Sequence, residues 1–323
     1  MEVPASPTNA LRPLIQILTI ARLTALETLR HPILLLLSLS AVACILFVPI
    51  AIAHELGEQG RLARDSALAF QFGFGVLIAG YAAGSSLRRE IETGILSTLL
   101  SKNIGRELFY VGKVVGIGAV LALYVLVALP AGLLAQRLAP LNYEIDTLAL
   151  LIAPSAVVLA LAGAALDNFF SRRSFASSAM VYLIVSLAGT VLILAAFGRD
   201  GTPVRYGQFI EWRLIPAQLL LAEALLLFGA LCLALAARLK TAAVMAGGAV
   251  VFLLGLATDY FLGAFPILRG WAPHWQVFWQ SDALAAGGHV SAASIEQISL
   301  YAFFYLAGLI AVGIVLFRHQ EME

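Results

Sequence analysis

An all-α, polytopic transmembrane helix bundle is the fold this sequence predicts. It has about eight spans, both termini on the cytoplasmic side and an amphipathic interfacial helix at the N-terminus. Three observations predict it. Of 323 residues, 61% are hydrophobic and only 12% are charged, and the mean hydropathy is +0.93. Soluble domains run nearer half apolar and a quarter charged. The apolar residues gather into runs long enough to cross the hydrocarbon core, which takes about 20 residues per helix. In lipid, backbone polar groups must be paired internally, so such runs form helices. Lysine and arginine are also spread unevenly over the two sides that alternating spans define. A net charge of +1 and two cysteines exclude a basic nucleic-acid binder and a secreted disulfide scaffold.

Residues 8–30 come first. At 100° per residue Arg12, Gln16, Thr19, Glu27 and Arg30 line one stripe, with Leu11, Leu14, Leu18, Ala25 and Leu29 away from it. That pattern suits a helix lying in the cytoplasmic interface, and it is too polar for a signal peptide. Pro32 breaks the direction before the first span. The spans follow at 33–54, 66–87, 113–136, 147–166, 175–197, 214–237, 241–263 and 298–317. With the N-terminus inside, 13 of the 20 Lys and Arg fall on the cytoplasmic side, as the positive-inside rule expects. Trp212, Trp271, Trp275 and Trp279 all fall on the outer side. In the outer segment 264–297, Pro273 can open a short helix that places Trp275 and Trp279 on one face, against the interface or in ordinary packing. No repeat or linker divides 1–323, which is one membrane domain. The pairs Gly80/Gly84 and Gly112/Gly116 let helices approach closely, at a dimer seam or within the subunit. Pro130 and Pro154 can kink their spans.

The chemistry that the chain lacks narrows its function. His54-Glu55 has no second histidine for a zinc site, and Gly84-Ser85-Ser86 is not a nucleophile elbow. Gly112-Lys113 is followed by Val114, with Glu107 where a Walker A glycine belongs. No catalytic residue and no metal site are expected. If ATP drives this protein, another subunit brings the nucleotide site.

The informative stretch joins the second and third spans. Across 88–105, Ile91, Ile95, Leu99 and Leu100 recur at helical spacing among Glu90, Glu92, Thr93, Ser97, Thr98 and Ser101. This predicts a short amphipathic helix outside the membrane, with Gly94 leaving room for a second backbone. A partner that grips such a helix tilts both adjoining spans. A solvated loop helix with no partner is the alternative.

Glu92, Gly94, Leu99-Leu100-Ser101-Lys102, Arg106 and Gly112-Lys113 together resemble the motif of type-2 ABC transporter permeases, closest to the copper-enzyme-maturation branch. Trp275-Gln276-Val277-Phe278, Asp282-Ala283-Leu284, Tyr301, Tyr305 and Phe317-Arg318 are similar to that family's C-terminal part. Residues 200–265 carry no such likeness. Ile95 stands where the family usually has Thr, and Asn103 where it usually has Pro. The family usually has six spans; an extra pair within 175–263 keeps both termini inside. The resemblance implies a permease subunit in the bacterial inner membrane, an exporter by class, with no cofactor of its own. It implies a cytoplasmic ABC ATPase partner that binds ATP and Mg, and a second permease copy as homodimer or a related permease. Accessory membrane or periplasmic proteins and membrane lipids are the remaining partners; nucleic acid is not one. The ATPase would push on 88–105, with Glu90, Glu92, Gly94, Leu99, Arg106 and Lys113 as coupling residues.

Two carboxylates inside spans form a candidate polar site. Glu223 lies mid-span, where a charge is costly and the default reading is functional, though a structural hydrogen bond fits as well. Asp259 is near the outer end of its span, and Asp167 sits by Arg172 and Arg173 at a cytoplasmic end. Two other readings compete with the permease. A proton-coupled secondary transporter would use Glu223 and Asp259, although no inverted repeat is visible. A mechanotransmitting or structural subunit would move no substrate.

Overall fold

A computed structural model describes residues 7–52, 58–92, 105–140, 144, 146–257 and 273–318. In chain order the helices are α1 (Pro7–Leu29), α2 (Pro32–Ala51), α3 (Gln59–Glu92), α4 (Arg106–Leu138), α5 (Thr147–Ser171), α6 (Phe175–Leu194), α7 (Leu214–Ala236), α8 (Thr241–Leu256) and α9 (Ala292–Arg318). Two 3-10 turns, Trp275–Phe278 and Asp282–Gly287, precede α9. Phe197 and Pro203 form an isolated antiparallel bridge. Helices α2 to α7 and α9 are each long and apolar enough to cross a membrane. The chain is an all-α, multi-pass membrane protein.

Local chemistry sets the helix ends. His31 caps α2, its side chain accepting from the Ile33 N–H, and Pro32 takes the first position, where a missing N–H costs nothing. Asp146 caps α5 through the Ala149 N–H at 2.8 Å. Pro130 and Pro154 lie inside α4 and α5, which continue through them.

The packing orders the crossings. One end of the bundle gathers His31, Arg88, Arg89, Arg106, Arg172, Arg173, Arg238, Lys240 and Arg318 at helix termini; this is the basic end. The other gathers the start of α3, the α4–α5 turn, the 195–213 loop and the turns before α9. Helix α8 differs from the predicted span 241–263. It has 16 residues, about 24 Å at 1.5 Å per residue, and 258–263 lie outside the described residues. It nevertheless runs from the basic end, where Thr241 Oγ1 donates to the Gly84 carbonyl at 3.1 Å, to the far end, where Phe252 meets Trp275. Among the described residues, eight antiparallel helices therefore stand between α1 and the end of α9, seven of them long enough to cross a membrane.

Helix α4 is the axis and touches α1, α2, α3, α6, α7 and α9. Its glycine pair answers the question of the small-residue motif. A Cβ on Gly112 would lie 2.8 Å from Ile20 Cβ, and one on Gly116 would lie 2.7 Å from Thr24 Cβ. The pair is a seat for α1 within the subunit. Helix α1 buries Ile20, Ala21, Thr24, Ala25, Thr28 and Leu29 there, and leaves Leu14, Ile15, Leu18 and Leu23 exposed on its outer flank. The α5–α6 hairpin is peripheral, with α5 resting on α6 and showing Leu151, Val158, Leu159 and Leu166 outward.

Candidate functional site

Those of the predicted coupling residues that are described sit at the basic end. Ser86 and Glu90 are one turn apart on α3, and Lys113 faces them from α4. Lys113 Nζ donates to Glu90 Oε1 at 2.7 Å and to Ser86 Oγ at 3.0 Å. The Lys113 side chain is 1% exposed and that of Glu90 is 14% exposed. Leu87 and Phe109, both buried, flank the pair in sequence, and the ammonium lies 5.6 Å from the Phe109 ring centroid. A lone lysine there would be untenable, because a buried charge needs a counter-charge and hydrogen bonds. Glu90 Oε2 is buried without a hydrogen-bond partner. The pair joins the two helices that flank residues 93–104.

Neighbouring contacts extend this tie. Arg106 Nη1 donates to the Arg318 carbonyl at 2.8 Å, and the Arg318 guanidinium pairs with Glu107, so the end of α9 is held to the start of α4. Arg89 Nη1 reaches Glu27 Oε1 at 3.1 Å and links α3 to α1. Tyr81 Oη lies 2.9 Å from His31 Nε2, beside a cavity of about 210 Å³ that Arg88, Ser85 and Thr241 also line. Of the six predicted coupling residues, Glu90 and Lys113 meet and Arg106 is turned to α9. Glu92 closes α3, but its side chain lies outside the described residues, as do Gly94 and Leu99 and most of the predicted helix 88–105.

The intramembrane carboxylates separate. Glu223, on α7, accepts from Ser299 Oγ of α9 at 2.8 Å, while its Oε2 is buried and unpartnered. Asp259 lies outside the described residues. Asp167 accepts from Ser178 Oγ at 2.6 Å and stands 3.9 Å from Arg173. For Trp275 the structure decides between the two readings. Trp275 is 3% exposed and packs against Phe228 and Phe252, so its indole belongs to the core rather than the interface. The turn there is 3-10, and Trp279 only closes it.

Two polar constructions escaped the sequence reading. Arg137 and Asp146 form a fully buried pair at 2.7 Å. Arg137 also donates to the carbonyls of Leu194, Phe197 and Gly198, binding the 195–207 loop to the bundle. Deeper in, Gln218 Nε2 donates to Gln71 Oε1 at 2.8 Å, Gln71 Nε2 donates to the Gln218 carbonyl at 3.1 Å, and Tyr124 donates to the Gln71 carbonyl at 2.8 Å. The signal was there: uncharged amides inside apolar runs are interhelical glue.

Compared with known proteins, the chain matches no family model and no curated protein.

Proposed function

We propose that the chain is the membrane-spanning permease of an ATP-driven exporter of the type-2 ABC class, in the bacterial inner membrane. A separate cytoplasmic ATPase drives it through residues 88–105, and two permease copies complete the unit. The observation that carries this reading is the Lys113–Glu90–Ser86 tie, which clamps both ends of the 93–104 connection. A force applied to that connection reaches α3 and α4 together. Arg89–Glu27 passes it to α1, and Glu107–Arg318 with Arg106 passes it to α9. Four helices thus share one handle, as a lever requires. The motif residues Glu92, Gly94 and Leu99, on which the family resemblance rests, fall at or within this stretch of the sequence.

The test is affinity purification of the chain from its native membranes, followed by ATP turnover. An ABC-type ATPase is expected in the complex. Replacing Glu92, Gly94 and Arg106 is expected to weaken its association or its turnover. If both stay at the wild-type level, the coupling role is wrong. Association and turnover without any transported compound would instead mark a mechanotransmitter. The unpartnered Glu223 Oε2 favours one second reading, a proton-coupled transporter. That reading requires flux driven by a pH gradient in vesicles without ATP, abolished by E223Q.

A further inference from the structure

A cavity of about 960 Å³ lies at the basic end between α1, the α5–α6 turn and the start of α6. Its walls change character with depth. At the rim stand three guanidiniums, from Arg30, Arg172 and Arg173. Beneath them the lining turns apolar, with Val181, Tyr182 and Val185 of α6, and Val181 and Val185 are 57% and 65% exposed.

The rim presents hydrogen-bond donors that lack an acceptor. Ser174 opens α6 without a side-chain cap, so the first N–H groups of a 20-residue helix point outward unmet. Ser177 Oγ is buried and has no partner. Among the described residues, Arg30 and Arg172 face no carboxylate. The single acid in the wall, Asp167, is occupied by Ser178 and lies 3.9 Å from Arg173. The turn also holds its shape at a cost. Arg172 has φ 55°, ψ 26°, the left-handed region in which a side chain is disfavoured. Asn168 secures it, donating from Nδ2 to the Arg173 carbonyl at 2.6 Å and accepting from the Arg172 N–H at 3.1 Å. Glycine or asparagine would be the easy residue here; arginine keeps a cation at the rim.

We infer that this cavity binds an anionic phospholipid of the cytoplasmic leaflet, its phosphate held by Arg30, Arg172, Arg173 and the start of α6, and its acyl chains laid along Val181 and Val185. Charge complementarity selects the headgroup, since the basic end faces the leaflet that carries the anionic lipids. A helix N-terminus adds a phosphate-binding set of N–H groups. The apolar floor selects a lipid over a free phosphate, because a water-soluble anion leaves Val181 and Val185 uncovered. The site would tie α1 to the peripheral hairpin, which otherwise touch little. It stands independently of any ATPase.

The test uses the full chain in neutral detergent and native mass spectrometry with defined lipids. Phosphatidylglycerol is expected to stay bound where phosphatidylcholine of the same acyl composition is lost. R30Q and R172Q are each expected to weaken phosphatidylglycerol about fivefold, the factor that about 1 kcal/mol per surface cation gives. R205Q, at the far end, should change nothing. R172G relieves the left-handed strain, so it should weaken the lipid while leaving thermal stability equal or higher; this separates binding from folding. Equal retention of the two lipids overturns the proposal. So does inorganic phosphate competing as well as the lipid, which would leave a plain anion site. A chain that dimerises through this face, with lipid retention indifferent to R30Q and R172Q, overturns it as well.

Discussion

At the scale of single residues, the bundle depends on a few buried polar groups that lipid cannot satisfy. Lys113 and Glu90 show the rule. Each is tolerable only because the other is present, so removing one partner is far worse than removing both. K113M is expected to destabilise the protein by roughly 3 kcal/mol, whereas K113M/E90Q should recover most of the loss. Thermal unfolding in detergent over the complete double-mutant cycle measures this. A coupling energy near zero would mean that the pair is solvated and mechanically slack. Arg137 obeys the same logic at the far end with more bonds at stake, since Asp146 also caps α5. D146N keeps a capping oxygen but removes the counter-charge. It is expected to cost more than D200N, although both change one carboxylate. Asp200 is exposed, and its hydrogen bonds from Thr202 hold its carboxyl below the ordinary range. Its small contribution is therefore complete above the unfolded carboxylate pKa and is lost as pH falls through the lowered folded value. Amide exchange at 200–204 should accelerate only in that acid window.

Between residue and molecule stands the helix, and here legibility was uneven. Long apolar runs were plain because hydrocarbon imposes one length and one backbone solution. The face of α1 was harder. A stripe of Arg12, Gln16 and Thr19 reads as the wet side, but the buried side is set by small residues, Ala21, Thr24 and Ala25, whose value lies in fitting Gly112 and Gly116. Hydrophobicity alone cannot see that fit, because Leu14 and Leu18 are more apolar and face outward. The Lys113–Glu90 contact was half legible. The motif named both residues, but nothing in their spacing of 23 positions said that the two would meet. Trp275 stayed open between two readings because an indole suits both an interface and a core, and only the facing Phe228 and Phe252 decide. The close seat of α1 gives a direct expectation. G116V places two methyls where the Ala21 carbonyl and Thr24 already lie, so α1 must lift from α4. In a background lacking Cys44 and Cys232, A25C should be shielded from a thiol reagent. Adding G116V should expose it, with the other helices still folded by circular dichroism. Continued shielding would show that α1 can slide along α4 without detaching.

For the whole molecule, the number of crossings decides which helix ends share a side, and α8 is the element on which that number turns. Sixteen helical residues fall short of the hydrocarbon thickness by several ångströms, a mismatch that costs only fractions of a kcal/mol per ångström and is met by local thinning or by neighbouring protein. Helix α8 has such neighbours: Thr241 is bonded to Gly84 at one end, and Gly255 is packed against Trp275 at the other. The termini of α9 require the same parity. Ser299 meets α7 in mid-bundle, and Arg318 pairs with Glu107 at the basic end, so α9 must start from the far side. With Cys44 and Cys232 replaced, single cysteines at Ser174, Arg238, Thr202 and His289 therefore have assigned sides. An impermeant maleimide should label S174C and R238C only in inverted vesicles, and T202C and H289C only in right-side-out ones. Labelling of R238C and H289C from the same side would make α8 a re-entrant helix and the passes odd in number. The end of α9 would then lie opposite the 88–105 segment, and Arg318 could not pair with Glu107 as it does here. A single inward push would reach only part of the bundle.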